Sequence, residues 1–377
     1  MNRIKIIADN KIPYLKGVLE PYADIEYYPG KMITSRIVKD ADALFIRTRT
    51  KCNRDLLDGS NVKFITSATI GFDHIDTDYC KKQKIIWTNA PGCNSSSVQQ
   101  YVASALVTLS RKHGFSLRNK TLGVIGVGHV GTKVVSLAEY LGINVLLNDP
   151  PRMRNESPCG FVTLEGILRD CDIITFHVPL NMSGEDKTYH MIDNKLLEQT
   201  NHDSFVINTS RGAVADTNAL KNALKSGKIA GAVIDVWEGE PEIDNELLDL
   251  ADIATAHIAG YSADGKANGT AMSVQAVSKF FNLGIENWRP DNKLLHDNTV
   301  ISINNKTKSY EDIIAEAVIA TYNIMEDDKR MRQSPGTFEK QREDYPLRRE
   351  FSSFTVKLSN KDKEVERVLR RMGFKTE

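Results

Sequence analysis

Residues 121–149, TLGVIGVGHVGTKVVSLAEYLGINVLLND, constrain this chain more than any other stretch. Residues 122–125 read as a short buried strand. Gly126, Gly128 and Gly131 then form G-x-G-x-x-G, and Val134, Val135, Leu137, Ala138 and Leu141 keep the spacing of a helix. Gly142 stops that helix, residues 145–147 make a second strand, and Asp149 stands at its end. Each part meets a need of a bound dinucleotide. The first glycine permits the tight turn, the second lets the backbone approach a pyrophosphate, and the third allows close packing of helix on strand. The free N–H groups and the positive helix end face the phosphate charge. A carboxylate about 20 residues on binds the adenosine ribose hydroxyls and repels a 2′-phosphate, which predicts NAD over NADP. Arg152, just past Asp149 and two prolines, is the residue that could soften that exclusion.

The rest of the chain continues the strand–helix alternation. Before the glycine turn, residues 4–8, 42–46, 63–67 and 85–88 read as strands separated by helical patterns, the order of a parallel sheet covered on both faces. Ligands in such sheets sit at the carboxyl ends of strands. That makes Arg47, Thr48 and Thr69 substrate candidates, with helix capping as the competing role for the two threonines. Residues 95–111 predict an amphipathic helix leading into the nucleotide strand and joining two domains. After Asp149 come strands at 173–178, 205–208, 232–236 and 252–255, then a helix over 269–283 able to pack back on the first domain. Beyond residue 290 the texture changes to two strands (299–304, 354–359) and two helices (310–325, 361–372) around the aperiodic FEKQREDYPLRREF. So small an α+β unit buries little by itself, which points to association.

Composition excludes several classes. Among 377 residues, 49 basic side chains cancel 49 acidic ones, so no overall field recruits nucleic acid or an anionic membrane. Five scattered cysteines without a C-x-x-C pair fit reduced thiols. No apolar run approaches the length of a membrane span, and MNRIKIIADN reads as a strand rather than a secretion signal. A cytoplasmic protein is expected.

Three polar residues at strand ends, Arg211, Glu240 and His257, suit hydride chemistry. Oxidising a secondary alcohol needs a group to take the hydroxyl proton and a cation to hold an adjacent carboxylate and the developing carbonyl. Histidine titrates in the right range, and a carboxylate beside it orients the ring and favours its charged form. Arginine offers a planar fork for a carboxylate. Taken singly, each has an ordinary structural role as the stronger reading; their shared placement after successive strands changes the weight.

The strings GVIGVGHVG, NTSRGAVAD, GAVIDVWEGEP and HIAGYS resemble the D-isomer-specific 2-hydroxyacid dehydrogenases over residues 1 to about 285. The resemblance implies a doubly wound Rossmann domain for NAD and a second, flavodoxin-like α/β substrate domain. It implies Arg211, Glu240 and His257 as the catalytic trio and Asp149 as the ribose acid. It places His129, Val130, Val178, Thr209, Ser210, Asp235 and Gly260, with Gly126, Gly128 and Gly131, at the cofactor. Thr48, Thr69 and Tyr261 fall where the family contacts substrate. NAPGCN, NDPPR, HIAGYSADGKANGT and EDYPLRREF narrow the likeness to one branch that takes a phosphorylated hydroxyacid and carries a small C-terminal α+β domain for homodimer formation. The expected boundaries are 1–97 completed by 258–289 for the substrate domain, 98–257 for the NAD domain and 290–377 for the dimerisation domain. The substrate phosphate needs a cation: Arg47 by placement, or Arg348 or Arg349 from a partner subunit. The alternatives left open are 3-phosphoglycerate or another D-2-hydroxyacid as substrate, and a non-enzymatic regulator that senses NADH.

Overall fold

The computed structural model describes residues 3–156, 159–291 and 299–377. It divides into two compact units, Met1–Asn94 with Ser262–His296, and Ser95–Tyr261 with Asp297–Glu377.

The first unit is built on β1 (Ile4–Asp9), β2 (Ala23–Tyr28), β3 (Ala43–Ile46), β4 (Phe64–Ser67) and β5 (Ile86–Thr88). All pairs are parallel and the order is β2-β1-β3-β4-β5, the flavodoxin-like winding. β3 and β4 are buried at every position, as expected of central strands covered on both faces. β2 is the strand that pattern reading passes over. Its sequence ADIEYY alternates charged with apolar residues because it forms the sheet edge. The last helix of this unit, Ala263–Phe281, starts earlier than its hydrophobic spacing predicts. Ser262 caps it by accepting from the Gly265 N–H at 2.8 Å. Its Val274 and Val277 join the β1 core, and Phe280 stacks on Phe64 at 4.6 Å between ring centroids.

The second unit carries a six-stranded parallel sheet: β6 (Thr121–Ile125), β7 (Asn144–Asn148), β8 (Ile173–Phe176), β9 (Phe205–Asn208), β10 (Gly231–Ile234) and β11 (Ile253–Ala254). The order β11-β10-β9-β8-β6-β7 reverses direction at β6, so the switch point lies between the ends of β6 and β8. A second, three-stranded parallel sheet follows, β12 (Thr299–Ile303), β13 (Phe354–Leu358) and β14 (Lys375–Thr376), in the order β12-β13-β14.

The Ser95–His113 helix is not amphipathic in the expected sense. It is buried on nearly every side, polar Ser97, Gln100 and Ser104 included. One side lies in the sheet's core with Leu122 and Val124; the other meets the C-terminal segment. Gln100 donates to the Arg349 carbonyl at 2.9 Å, and the Ser104 hydroxyl donates to the Tyr322 carbonyl at 2.8 Å. Gln100 and Ser104 thus satisfy backbone groups of the module, and the Ser97 hydroxyl donates to the Ala259 carbonyl at 3.0 Å. The single helix expected over 310–325 is two helices, Tyr310–Thr321 and Ile324–Gln333. Tyr322 turns extended between them, its hydroxyl donates to Asp327 at 2.9 Å, and Asn323 caps the second helix. Among the described residues no helix is long and apolar enough to cross a membrane.

Candidate active site

The glycine turn is shaped as its sequence requires. Gly126 has a φ of 85°, and a Cβ there would lie 2.7 Å from the His177 carbonyl oxygen. A Cβ on Gly131 would collide with the Gly126 carbonyl. Gly128 differs: a Cβ there would meet nothing within 4 Å, so its bareness serves something outside the protein. Gly128 is the N-cap of the His129–Leu141 helix and no side chain caps that end, which leaves the leading N–H groups of His129, Val130 and Gly131 for a phosphate. The turn borders a cavity of about 860 Å³ lined by Val127, Gly128, His129, Arg152 and, from the C-terminal module, Phe351 and Arg371.

Asp149 sits half-buried at the end of β7. Its Oδ2 accepts from the Val127 N–H at 2.8 Å and its Oδ1 from the Arg152 N–H at 3.1 Å. Each oxygen retains a lone pair for a ribose hydroxyl. The Arg152 guanidinium is committed elsewhere, gripping Glu156 through Nε and Nη2 and the Val127 carbonyl through Nη1. The doubt Arg152 raised about NADP therefore falls away. These residues fit NAD.

At the other end of the sheet, neighbouring strands β9, β10 and β11 present Arg211, Glu240 and His257 in turn. Asn208 organises the first turn. Its carbonyl oxygen accepts from the Ser210 N–H and hydroxyl, and its amide donates to the Arg211 carbonyl at 3.1 Å. A Cβ on Gly212 would collide with the Trp237 carbonyl, so the Arg211 turn lies directly on the loop that carries Glu240. Thr209 meets His177 Nδ1 at 3.2 Å, and Val178 flanks Gly126.

His257 Nδ1 and Glu240 Oε2 are 2.8 Å apart, and Glu240 Oε1 accepts from the Trp237 N–H at 2.8 Å. Burial pushes the Glu240 carboxyl up, but the His257 charge and hydrogen bond, the Trp237 N–H and the Arg342 charge outweigh it and hold it below the usual range. Its ionised form is thus the stable one.

His257 has a φ of 54°, an uncommon conformation for a non-glycine residue that surrounding bonds must hold. Asp235 supplies them. Its carbonyl accepts from the His257 N–H at 2.7 Å, and its carboxylate accepts from the Ile258 and Ala259 N–H groups at 2.7 and 2.9 Å and from the Thr255 hydroxyl. With 1% of its surface exposed, Asp235 anchors this loop, a role that proximity to the cofactor does not describe. Gly260 continues the turn to Tyr261, whose ring lies edge-on to Tyr345 and 5.7 Å from the Arg342 guanidinium.

Arg348 is buried within its own chain. Its Nη2 donates to the Ile258 and Ala259 carbonyls at 3.2 and 2.5 Å and to the Ser97 hydroxyl. A side chain so enclosed does not reach across to a partner's substrate, which corrects the expectation for Arg348. Nothing in the local sequence marks it, because its partners lie about 90 and 250 residues away.

In the first unit, Arg47 at the end of β3 gives Nε and Nη2 to the fully buried Asp9, at 3.1 and 3.2 Å. Thr48 follows it directly. Thr69, after β4, shares a hydrogen bond of 2.7 Å with Ser67, which also meets His74 Nε2 at 3.2 Å. Thr69 caps no helix, so the capping role is not its own.

Residues 94–259 match the profile of the D-isomer specific 2-hydroxyacid dehydrogenase NAD binding domain, and residues 294–373 match a domain of unknown function, DUF3410. An erythronate-4-phosphate dehydrogenase of Bacteroides fragilis (strain ATCC 25285) is 50% identical, covering 94% of this chain and 99% of that protein. The chain belongs to the erythronate-4-phosphate dehydrogenase family. Another member, from Porphyromonas gingivalis, is 43% identical across 98% of this chain and all of its own length. Among solved structures, D-lactate dehydrogenase of Aquifex aeolicus, complexed with NAD and lactic acid, superposes with a TM-score of 0.61 at 26% identity, covering 75% of this chain and 96% of that one. The enzyme class is that of NAD-dependent 2-hydroxyacid oxidoreductases, and the cofactor is NAD.

Proposed function

We propose that this chain oxidises 4-phospho-D-erythronate at C2 to 2-oxo-3-hydroxy-4-phosphobutanoate with NAD, a step of pyridoxal 5′-phosphate biosynthesis. The observation that carries the reading is the half-buried Glu240–His257 pair, set in the loops that follow adjacent strands beside the Arg211 turn. Arg211 holds the C1 carboxylate and the C2 oxygen through its planar fork. His257 keeps Nδ1 on Glu240 and takes the hydroxyl proton on Nε2. Glu240 fixes the ring's tautomer and balances the imidazolium that forms. Bound NAD supplies the hydride acceptor. Asp149 selects it over NADP, and Thr48, Thr69 and Tyr261 contact the rest of the substrate, with Arg47 toward its phosphate.

The same reading has two copies of the chain joined through the C-terminal module, working in the cytoplasm. Exposed Val300 on β12 and Leu347, 49% and 73% exposed, support that module as the contact face. Purified protein given 4-phosphoerythronate and NAD should form NADH, with 3-phosphoglycerate turned over far more slowly. Equal turnover of the two, or none with either, would sink the assignment.

A further inference from the structure

The loop after β11 is held from two sides by different parts of the chain. Asp235, on the nucleotide fold, takes the N–H groups of Ile258 and Ala259. Arg348, from the C-terminal module, takes the carbonyls of the same two residues. The peptides immediately after His257 are thus fixed through both their donors and their acceptors.

The clamp is itself braced. The Arg348 guanidinium lies over the Tyr322 ring at 4.4 Å and faces Tyr345 at 5.8 Å. Both tyrosine hydroxyls donate to Asp327, at 2.9 and 2.6 Å. Asp327 and Asp235 are both buried, and their charges favour the buried cation that lies between the two folds. Nε and Nη1 of Arg348 have no partner among the described groups, so this cation is not placed for the sake of satisfying its own donors. A buried arginine with unmet donors costs stability. What it does secure is the backbone that follows a strained histidine.

We propose that Arg348 is the positioning residue that seats the His257 loop, so that the C-terminal module is a working part of the active site and not only a contact between subunits. The proposal deepens the function above and rests on His257 as proton acceptor. Released from Arg348, the Ile258–Ala259 peptides keep the Asp235 side of their support, the Tyr261 N–H on the Ile258 carbonyl and the Ser97 hydroxyl on the Ala259 carbonyl, but lose the one cation that bridges both carbonyls. His257 then relaxes from its left-handed conformation, and Nε2 moves off the line to the substrate hydroxyl. A misplacement of about 1 Å at such a point costs roughly 100-fold in rate. Cofactor binding at the glycine turn, at the far end of the sheet, is untouched.

The test uses full-length Arg348→Ala and Arg348→Lys. Arg348→Ala should lose roughly 100-fold in kcat, with NAD affinity and the substrate KM nearly unchanged. Added guanidinium ion, which fits the vacated space, should restore part of the rate, and Arg348→Lys should fall between the two. Amide hydrogen exchange should quicken in the peptide containing Ile258 and Ala259 more than elsewhere. If Arg348→Ala does not fold, Arg348→Lys carries the kcat and exchange readouts. A folded variant whose kcat falls less than about threefold, or whose NAD affinity falls as far as its kcat, would overturn the proposal. So would unchanged exchange at Ile258 and Ala259. The exchange measurement needs no turnover, so it still reads the clamp if the parent protein fails to oxidise 4-phosphoerythronate.

Discussion

His257 Nδ1 lies 2.8 Å from Glu240 Oε2, and the other oxygen of that carboxylate is pinned by the Trp237 N–H. The carboxylate is therefore fixed before the histidine is, and the ring has one orientation that keeps the bond. Glu240→Gln preserves the shape and removes the charge. We expect kcat to fall by roughly 10²–10⁴ while NAD binding persists. Steady-state kinetics beside NAD titration would check it. The Glu240 carboxyl sits below its ordinary value in the folded protein, so its stabilisation is complete above the unfolded value and is lost as pH falls through the folded one. Thermal melts of Glu240→Gln should accordingly be less sensitive than those of the parent to acid below about pH 4.5.

Much of this pair was legible because each member lies in the loop that follows a strand, and such loops in a parallel sheet converge on one edge. The glycine turn was legible for a related reason: its three glycines fall at fixed spacing within one short stretch, between a strand and the helix it starts. What could not be read is what depends on distant chain. Gln100 and Ser104 look like the solvent face of a helix until the C-terminal module covers them. Asp235 is marked by its motif, yet its motif does not say that it holds the following loop. Arg348 looks like a surface arginine in a polar run. β2 was missed because an edge strand needs only one apolar face.

Asp149 makes its case through charge. Its oxygens already hold Val127 and Arg152 backbone N–H groups, so Asp149→Ala also loosens the turn it caps. NAD affinity should drop by roughly 10–100-fold, since charge-assisted hydrogen bonds contribute about 1.5–3 kcal/mol each. NADP should lose much less or gain. The ratio of the two dissociation constants, measured by NADH and NADPH fluorescence, checks the prediction. An unchanged ratio would remove Asp149 from cofactor selection.

Arg47 has a structural duty that competes with the one assigned to it at the phosphate. Its guanidinium covers the fully buried Asp9 carboxylate, and Arg47→Met leaves that charge without its partner. Stability should fall by about 3 kcal/mol, toward the lower end for a broken buried pair, because Arg47 itself is only half-buried. Asp9→Asn with Arg47→Met should recover much of the loss. If Arg47 also reads the phosphate, this restored double variant still shows a larger KM increase for 4-phosphoerythronate than for erythronate. Equal increases would leave Arg47 with the structural role alone.

His177 provides a pH dependence of the opposite chemical type. It follows β8 at the switch point, with Nε2 at 3.0 Å from the Thr175 hydroxyl and Nδ1 at 3.2 Å from that of Thr209. Burial pushes its pKa down to about 3, so the folded protein keeps the ring neutral where the unfolded chain would protonate it. Below the unfolded value near 6.5 the unfolded state binds the extra proton, and folding stability must fall as pH falls toward the folded value. His177→Gln retains a polar side chain and cannot titrate. The loss of stability between pH 7 and pH 5 should shrink by up to about 2 kcal/mol in this variant. Denaturant unfolding at the two pH values gives the comparison directly. Because the folded ring stays neutral at pH 5, the ratio of kcat at pH 5 to kcat at pH 7 should be the same in His177→Gln as in the parent, which separates this stability effect from the titration of the active site.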